Sequence, residues 1–258
     1  MRLDLYLFKN GYAKSREEAK KLILSGFVKI DGRVHAKPSF EVDGAAVEIT
    51  GDICPYVSRG AYKLASALDT FGIDVSDMTA MDIGASTGGF TDLLLSRCAK
   101  KVYALDSGTG QLHPKLRCDA RVVSMEKYNA RYLAVKDIGE LCDIAVMDVS
   151  FISQTYILPN IPDVLSEDGI LVSLIKPQFE AGKENVGKGG IVKDLRVHVS
   201  VCEKVIDFAH GVGLVCTGLI ASPIVGGDGN REYLAVFKKK AEKTDVSVKD
   251  AVFSHAGE

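Results

Sequence analysis

The chain has 258 residues, of which 47% are hydrophobic and 26% charged, with a net charge of −2 and a pI of about 6.2. That length suits one large domain or a domain plus a small module. The composition excludes a collagen, a long coiled coil or a disordered chain, and no apolar run approaches the length of a membrane-spanning helix.

The first residues, "MRLDLYLFKNGYAKSR", carry charge early and lack an uninterrupted apolar segment, so no signal peptide is expected. Six cysteines (54, 98, 118, 142, 202 and 216) form no Cys-x-x-Cys pair and show no zinc-finger spacing to a histidine. Cys142 and Cys216 lie in apolar, strand-like stretches, where a reduced thiol packs as a small hydrophobe. A reduced, metal-free, cytoplasmic protein is expected.

The near-neutral total hides a local bias. Residues 1–37 hold nine Lys or Arg against four acids, a net of five positive charges. Ser15-Arg16-Glu17-Glu18 reads as a capping box that starts a helix, and Ala19, Leu22 and Ile23 give that helix an apolar stripe. Gly26 ends it. "FVKI-DG-RVH" then reads as strand, two-residue turn and strand, and "VDGAAVEI" adds a further short strand. The module 1–50 is therefore a helix pair with a small sheet. Its candidate RNA-contacting cations are Arg2, Lys14, Arg16, Lys20, Lys21, Lys29 and Arg33, which on a rigid scaffold would position phosphates without reading sequence. The alternative is an ordinary solvated face. "TGDICPYVSRG" has no periodicity, so residues 51–58 are expected to be a linker.

From Thr79 onward, strand and helix alternate. "TAMDIG", "KVYALD", "RVVSM", "CDIAVMD", "GILVSLI" and "EYLAVFK" read as strands, while "GGFTDLLLSRC" and "DLRVHVSVCEKVIDFAHGVG" read as helices. That is a doubly wound α/β sheet. Residues 59–242 form this domain, and 243–258 are expected to be a flexible tail.

The first strand-to-helix turn is "DIGASTGGF", residues 82–90. Its candidate ligand-binding residues are Asp82, Gly84, Ser86, Thr87, Gly88, Gly89 and Phe90, the glycines permitting close backbone approach. Ser86 stands where a dinucleotide fingerprint has its second glycine. Asp82 would repel a pyrophosphate at the helix N-terminus, whereas the cationic S-adenosylmethionine reverses that argument. Asp106, at the end of the second strand, suits ribose hydroxyls in either class. Glu126 and Asn129, after the third strand, fit either an adenine contact or ordinary loop roles. Asp148 closes the fourth strand beside the same turn.

Four ionisable residues then converge by topology. Lys63 sits at the edge of the apolar stripe of "RGAYKLASALDTFG". Asp148 ends "DIAVMD", and Lys176 ends the next strand, where Pro177 stops it. Glu232 opens the last strand, expected to be antiparallel, so all three strand residues should share the ligand side of the sheet. "AGKENVGKGGIVKD", residues 181–194, reads either as a loop over the site or as a plain connector.

With these motifs in view, the first module resembles the S-four-type RNA-binding domain: "RLD" near the start, Ser-Arg at the helix cap, then Gly-x-Val-x-Ile-Asp-Gly. "SRGAYKL", "DIGASTGGFTDLLL", "DVSFIS", "KPQFE" and "GNREYL" resemble the FtsJ-like (RrmJ-like) ribose 2′-O-methyltransferases. Together they resemble the TlyA (hemolysin A) family of rRNA methyltransferases nearly end to end. The resemblance implies a Rossmann-like, mostly parallel seven-stranded sheet, S-adenosylmethionine as cofactor, a Lys63–Asp148–Lys176–Glu232 catalytic set, and methylation of cytidine ribose in ribosomal RNA of both subunits. Lys176 is expected to be the principal base or orienting group, with Lys63 assisting. The rivals are a dehydrogenase, a non-catalytic RNA-binding protein and a membrane-lytic protein.

Overall fold

Two compact units, Met1–Pro55 and Tyr56–Glu258, make up the chain. The computed structural model describes residues 1–13, 15–50, 54–226, 229–242 and 245–254. In the first unit, helix α1 (Leu3–Lys9) packs on α2 (Arg16–Leu24). The hydroxyl of Ser15 accepts from the Glu18 amide at 3.1 Å, the cap that the sequence predicts. Leu3, Leu7, Ala19, Leu22, Ile23 and Val28 fill the core between these helices and a three-stranded sheet of order β2-β1-β3. Its strands are β1 (Val28–Ile30), β2 (Arg33–Val34) and β3 (Val47–Ile49). Asp31 (φ 48°) and Gly32 (φ 76°) are both left-handed and Ile30 pairs with Arg33, the geometry a two-residue hairpin turn demands.

The second unit is a seven-stranded sheet of order β6-β5-β4-β7-β8-β10-β9. Its strands are β4 (Thr79–Ile83), β5 (Lys101–Leu105), β6 (Val122–Met125), β7 (Cys142–Met147), β8 (Leu165–Ile175), β9 (Val215–Ala221) and β10 (Tyr233–Lys238). The pairings among β4 to β8 are parallel, and β10 runs antiparallel to both β8 and β9. Strand order turns outward in both directions from the β4–β7 pair. That reversal opens a crevice at the C-terminal ends of these two strands.

Apolar side chains fill both faces of the sheet. Helices α3 (Ala61–Phe71) and α4 (Gly89–Ser96) cover one face. The long α9 (Leu195–Gly211), capped by Asp194, covers the other. Short helices α5 (Pro114–Arg117), α6 (Val135–Ile138), α7 (Ile161–Val164) and α8 (Pro177–Glu180) fill the crossovers.

The expected flexible tail, 243–258, is corrected in part. Within it, α10 (Val248–Phe253) is capped by Ser247 and buries Ala251 and Val252 against α9 and β9. Val246 and Val248 pack, partly buried, against the same core. Residues 243, 244 and 255–258 of that tail lie outside the described residues, as do 51–53 of the expected linker.

Candidate active site

Asp82 is the penultimate residue of β4 and is only 1% exposed. Its Oδ2 accepts from the Thr91 amide at 2.9 Å and the Thr91 hydroxyl at 2.7 Å, which ties the strand to the first turn of α4. Its Oδ1 is buried without a hydrogen-bond partner. Burial pushes the Asp82 carboxyl up to about 7, with the charges of Asp148 and Asp106 adding to the effect against the Thr91 donors.

The turn after β4 is as tight as its glycines predict. Gly84 has φ +87°, and a Cβ there would lie 2.6 Å from the Asp148 carbonyl oxygen. Ser86 adopts φ 48°, so this non-glycine residue takes the left-handed conformation that glycine usually supplies. Its amide donates to Asp106 Oδ2 at 2.8 Å, and the Gly108 amide donates to Asp106 Oδ1 at 2.7 Å. These bonds fix the carboxylate while leaving lone pairs for further donors.

Two adjoining cavities open here and share Gly84, Ser86, Asp148 and Ser150. The smaller, about 190 Å³, is also lined by Asp82, Thr87, Gly89, Phe90 and Lys176. The larger, about 370 Å³, is also lined by Leu105, Asp106, Tyr128, Asn129 and Ile152. Such a pair fits S-adenosylmethionine: a partnerless carboxylate oxygen for a cation, the Asp106 carboxylate just after β5 for ribose hydroxyls and apolar walls for a purine. Glu126 stands apart, since its carboxylate pairs with Arg117 at 3.1 Å and does not line either cavity. Gly88, which lines neither, has φ +94° and caps α4.

The four ionisable residues form two ion pairs. Lys176 Nζ lies 2.5 Å from Asp148 Oδ1, an ion pair without hydrogen-bond alignment, and donates to the Ser150 hydroxyl at 2.9 Å. Lys63 Nζ lies 2.5 Å from Glu232 Oε2. Both lysines are 8% exposed and Glu232 is 3% exposed. The β8–β10 register pairs Ile175 with Tyr233, so one step further on Glu232 stands across from Lys176. Asp148 follows β7, with its amide bonded to the Ile83 carbonyl at 3.0 Å. Topology thus brings Asp82, Asp148, Lys176 and Glu232 to one edge of the sheet.

Sequence reasoning missed two residues. Ser150 contacts Lys176 and lines both cavities. Phe151 is 92% exposed at φ 63°, with its ring 5.2 Å from that of Phe179. Only "DVSFIS" pointed there, and no pattern foretells a left-handed phenylalanine. The 181–194 stretch is anchored at one end: Asn230, fully buried, accepts from the Val192 amide and donates to the Gly190 carbonyl.

In the first unit, Lys20, Lys21 and Arg33 are exposed and Lys29 is half-buried. Arg2 and Arg16 differ, because both pair with the fully buried Asp4, at 3.1 and 2.8 Å. Burial pushes the Asp4 carboxyl up, but the two guanidiniums outweigh it and hold it at about 2. Lys14 lies outside the described residues.

Comparison with known proteins agrees with this arrangement. The profile of the S4 domain matches residues 1–47. The 16S/23S rRNA (cytidine-2′-O)-methyltransferase TlyA of Mycobacterium tuberculosis is 42% identical over 244 residues, covering 94% of this chain and 91% of that protein. Hemolysin A of Brachyspira hyodysenteriae is 45% identical over 239 residues, covering 92% of this chain and 99% of that one. A solved structure of a hemolysin-named chain from Streptococcus thermophilus superposes with a TM-score of 0.79 at 45% identity, covering 98% of this chain and 94% of that one. Residues 56–239, which carry the sheet, both cavities and both lysine–carboxylate pairs, match the profile of the FtsJ-like methyltransferases, and the chain belongs to that family.

Proposed function

We propose that this protein is an S-adenosylmethionine-dependent ribose 2′-O-methyltransferase that acts on cytidine in ribosomal RNA of the small and large subunits. The observation that carries the reading is Lys176: its buried ammonium borders the cavity that Asp82 lines and is held there by Asp148 and Ser150. The substrate follows from the TlyA relative, whose activity is on cytidine 2′-oxygens of 16S and 23S rRNA.

Asp82, Gly84, Ser86, Asp106 and Asn129 would hold the cofactor, which when bound supplies a methyl group on an electrophilic sulfonium. Lys176 Nζ orients the ribose 2′-oxygen for in-line displacement and accepts its proton or steers its lone pair, a role for a group within hydrogen-bond reach of the nucleophile. Asp148 fixes Nζ in place. Lys63 and Glu232 hold the neighbouring strand end, with Lys63 assisting through that pair. Phe151 offers an aromatic face for a base drawn out of its stack, and Lys20, Lys21, Lys29 and Arg33, with Arg2, Lys14 and Arg16, hold RNA phosphates. The setting is the cytoplasm, on ribosomal RNA or ribosomal subunits.

No helix among the described residues is long and apolar enough to cross a membrane. The test is to map ribose methylation in ribosomal RNA with and without the protein. A Lys176→Met variant should bind cofactor and transfer no methyl group. Wild-type transfer by that variant would sink the assignment.

A further inference from the structure

Ser173 is the one polar residue in the run "ILVSLI", and it is completely buried. A valine would pack there as well, so its hydroxyl needs a reason. It donates to Gln154 Oε1 at 2.6 Å. Gln154, 2% exposed, turns its amide nitrogen to the Leu174 carbonyl at 3.3 Å. The backbone amide of Gln154 donates to Glu180 Oε1 at 2.8 Å, and the Ser153 hydroxyl donates to Glu180 Oε2 at 2.6 Å. Glu180, 5% exposed, is the last residue of "KPQFE", and its carbonyl accepts from Lys204 of α9 at 3.1 Å. Burial pushes its carboxyl up, opposed by the Ser153 and Gln154 donors.

We propose that Ser173, Gln154 and Glu180 form a buried brace that fixes the 148–154 loop against the end of β8, and so act as positioning residues for methyl transfer. The brace grips the chain on both sides of Lys176: Ser173 and Leu174 precede it, and Glu180 follows it. On the loop it grips Ser153 and Gln154, with only Ile152 between them and the Ser150-Phe151 pair. The Lys176–Ser150 contact is therefore closed at both ends by a polar network that touches neither cavity. Fully satisfied buried networks of this kind specify one geometry rather than add net stability. None of the three residues meets the reacting atoms. Their effect passes through the placement of Lys176, Ser150 and Phe151.

This inference rests on the reading of the adjoining cavities as a methyl-transfer site. The full chain is assayed as wild type, Glu180→Ala, Glu180→Gln and Ser173→Ala. Three quantities are read: cofactor affinity by calorimetry, kcat and KM on ribosomal subunits, and amide hydrogen exchange across residues 148–156. Glu180→Ala should lower kcat by about ten- to a hundredfold, the effect of a displacement near 1 Å, while cofactor affinity changes by less than about threefold. Exchange in 148–156 should quicken while β4 and β5 stay protected. Glu180→Gln keeps an acceptor for the Gln154 amide and should restore most of kcat. Ser173→Ala should fall between the two. The proposal is overturned if Glu180→Ala keeps wild-type kcat, if Gln fails as badly as Ala, or if exchange quickens across the whole sheet. A wild-type chain that methylates neither subunit would sink the acceptor assignment instead, and the brace would then stand or fall on exchange in 148–156.

Discussion

Cofactor affinity should depend on pH through Asp82. Its Oδ1 has no partner and its residue lines the smaller cavity, so a bound cation would be the missing partner. In the free protein this carboxyl titrates at about 7. If the cation needs the carboxylate, observed affinity follows the ionised fraction: roughly a tenth at pH 6, half at pH 7 and nine-tenths at pH 8, about a tenfold tightening in all. The stability sign runs the other way. The unfolded residue ionises near its ordinary value of 3.8, so between there and about 7 the folded chain binds more protons. Asp82 therefore makes the unliganded fold less stable as pH rises through that window, and the melting-temperature gain on adding cofactor should be larger at pH 8 than at pH 6. Asp82→Asn keeps an oxygen for Thr91 but removes the charge. Calorimetric titration of wild type and Asp82→Asn at pH 6, 7 and 8 isolates the effect, since the cofactor's own titration is common to both. The variant should bind roughly tenfold or more weakly at pH 8. Parallel affinity–pH curves for the two proteins would mean that the Asp82 carboxylate does not hold the cation.

Three further outcomes follow from the geometry. Gly84→Ala places a Cβ 2.6 Å from the Asp148 carbonyl at φ +87°, so it should destabilise the domain by about 1–3 kcal/mol and weaken cofactor binding, both readable in one thermal-shift titration. Charge reversal at exposed Lys21 should weaken binding to a ribosomal RNA fragment and reduce the log–log salt slope by roughly 0.7–0.9 if it holds one phosphate. The same reversal at Arg16 should also lower the melting temperature, because Arg16 holds the buried Asp4.

The strand–helix alternation made the doubly wound sheet legible, because a parallel sheet buried on both faces leaves short, nearly continuous apolar runs. Asp-Gly specified the hairpin, since few residue pairs tolerate two left-handed positions. The convergence of Asp82, Asp148, Lys176 and Glu232 was legible because strand ends share an edge once the sheet is known. What the sequence could not show was pairing. That Lys63 takes Glu232 and Lys176 takes Asp148, that Arg2 and Arg16 close on Asp4, and that Glu126 turns to Arg117 are matters of side-chain reach and rotamer, which follow no fixed spacing in the chain. The helix at Val248–Phe253 was missed because six residues carry too little periodicity to separate from a loop. Ser150 and the Ser173–Gln154–Glu180 brace were invisible for the same reason as the pairs: hydroxyl and amide contacts leave no spacing rule.

The two lysine–carboxylate pairs have the same length, yet they should fail differently when cut. Lys63→Met leaves Glu232, 3% exposed, as an unpaired carboxylate in the interior. Breaking a buried pair costs roughly 3–5 kcal/mol, and at roughly 2–4 °C per kcal/mol in a domain of this size melting should fall by about 10 °C. Glu232→Gln in the same background should recover much of that loss, since it removes the stranded charge. Lys176→Met instead leaves Asp148, whose Oδ1 is buried beside Lys176 but whose side chain is 23% exposed at the cavity wall, nearer to water than Glu232. Its melting temperature should drop far less while its turnover disappears. Calorimetry of the three variants beside a methyl-transfer assay therefore separates a pair that holds the strand end from a pair that faces the substrate. Equal melting losses for Lys63→Met and Lys176→Met would mean that burial, not position on the cavity, governs both.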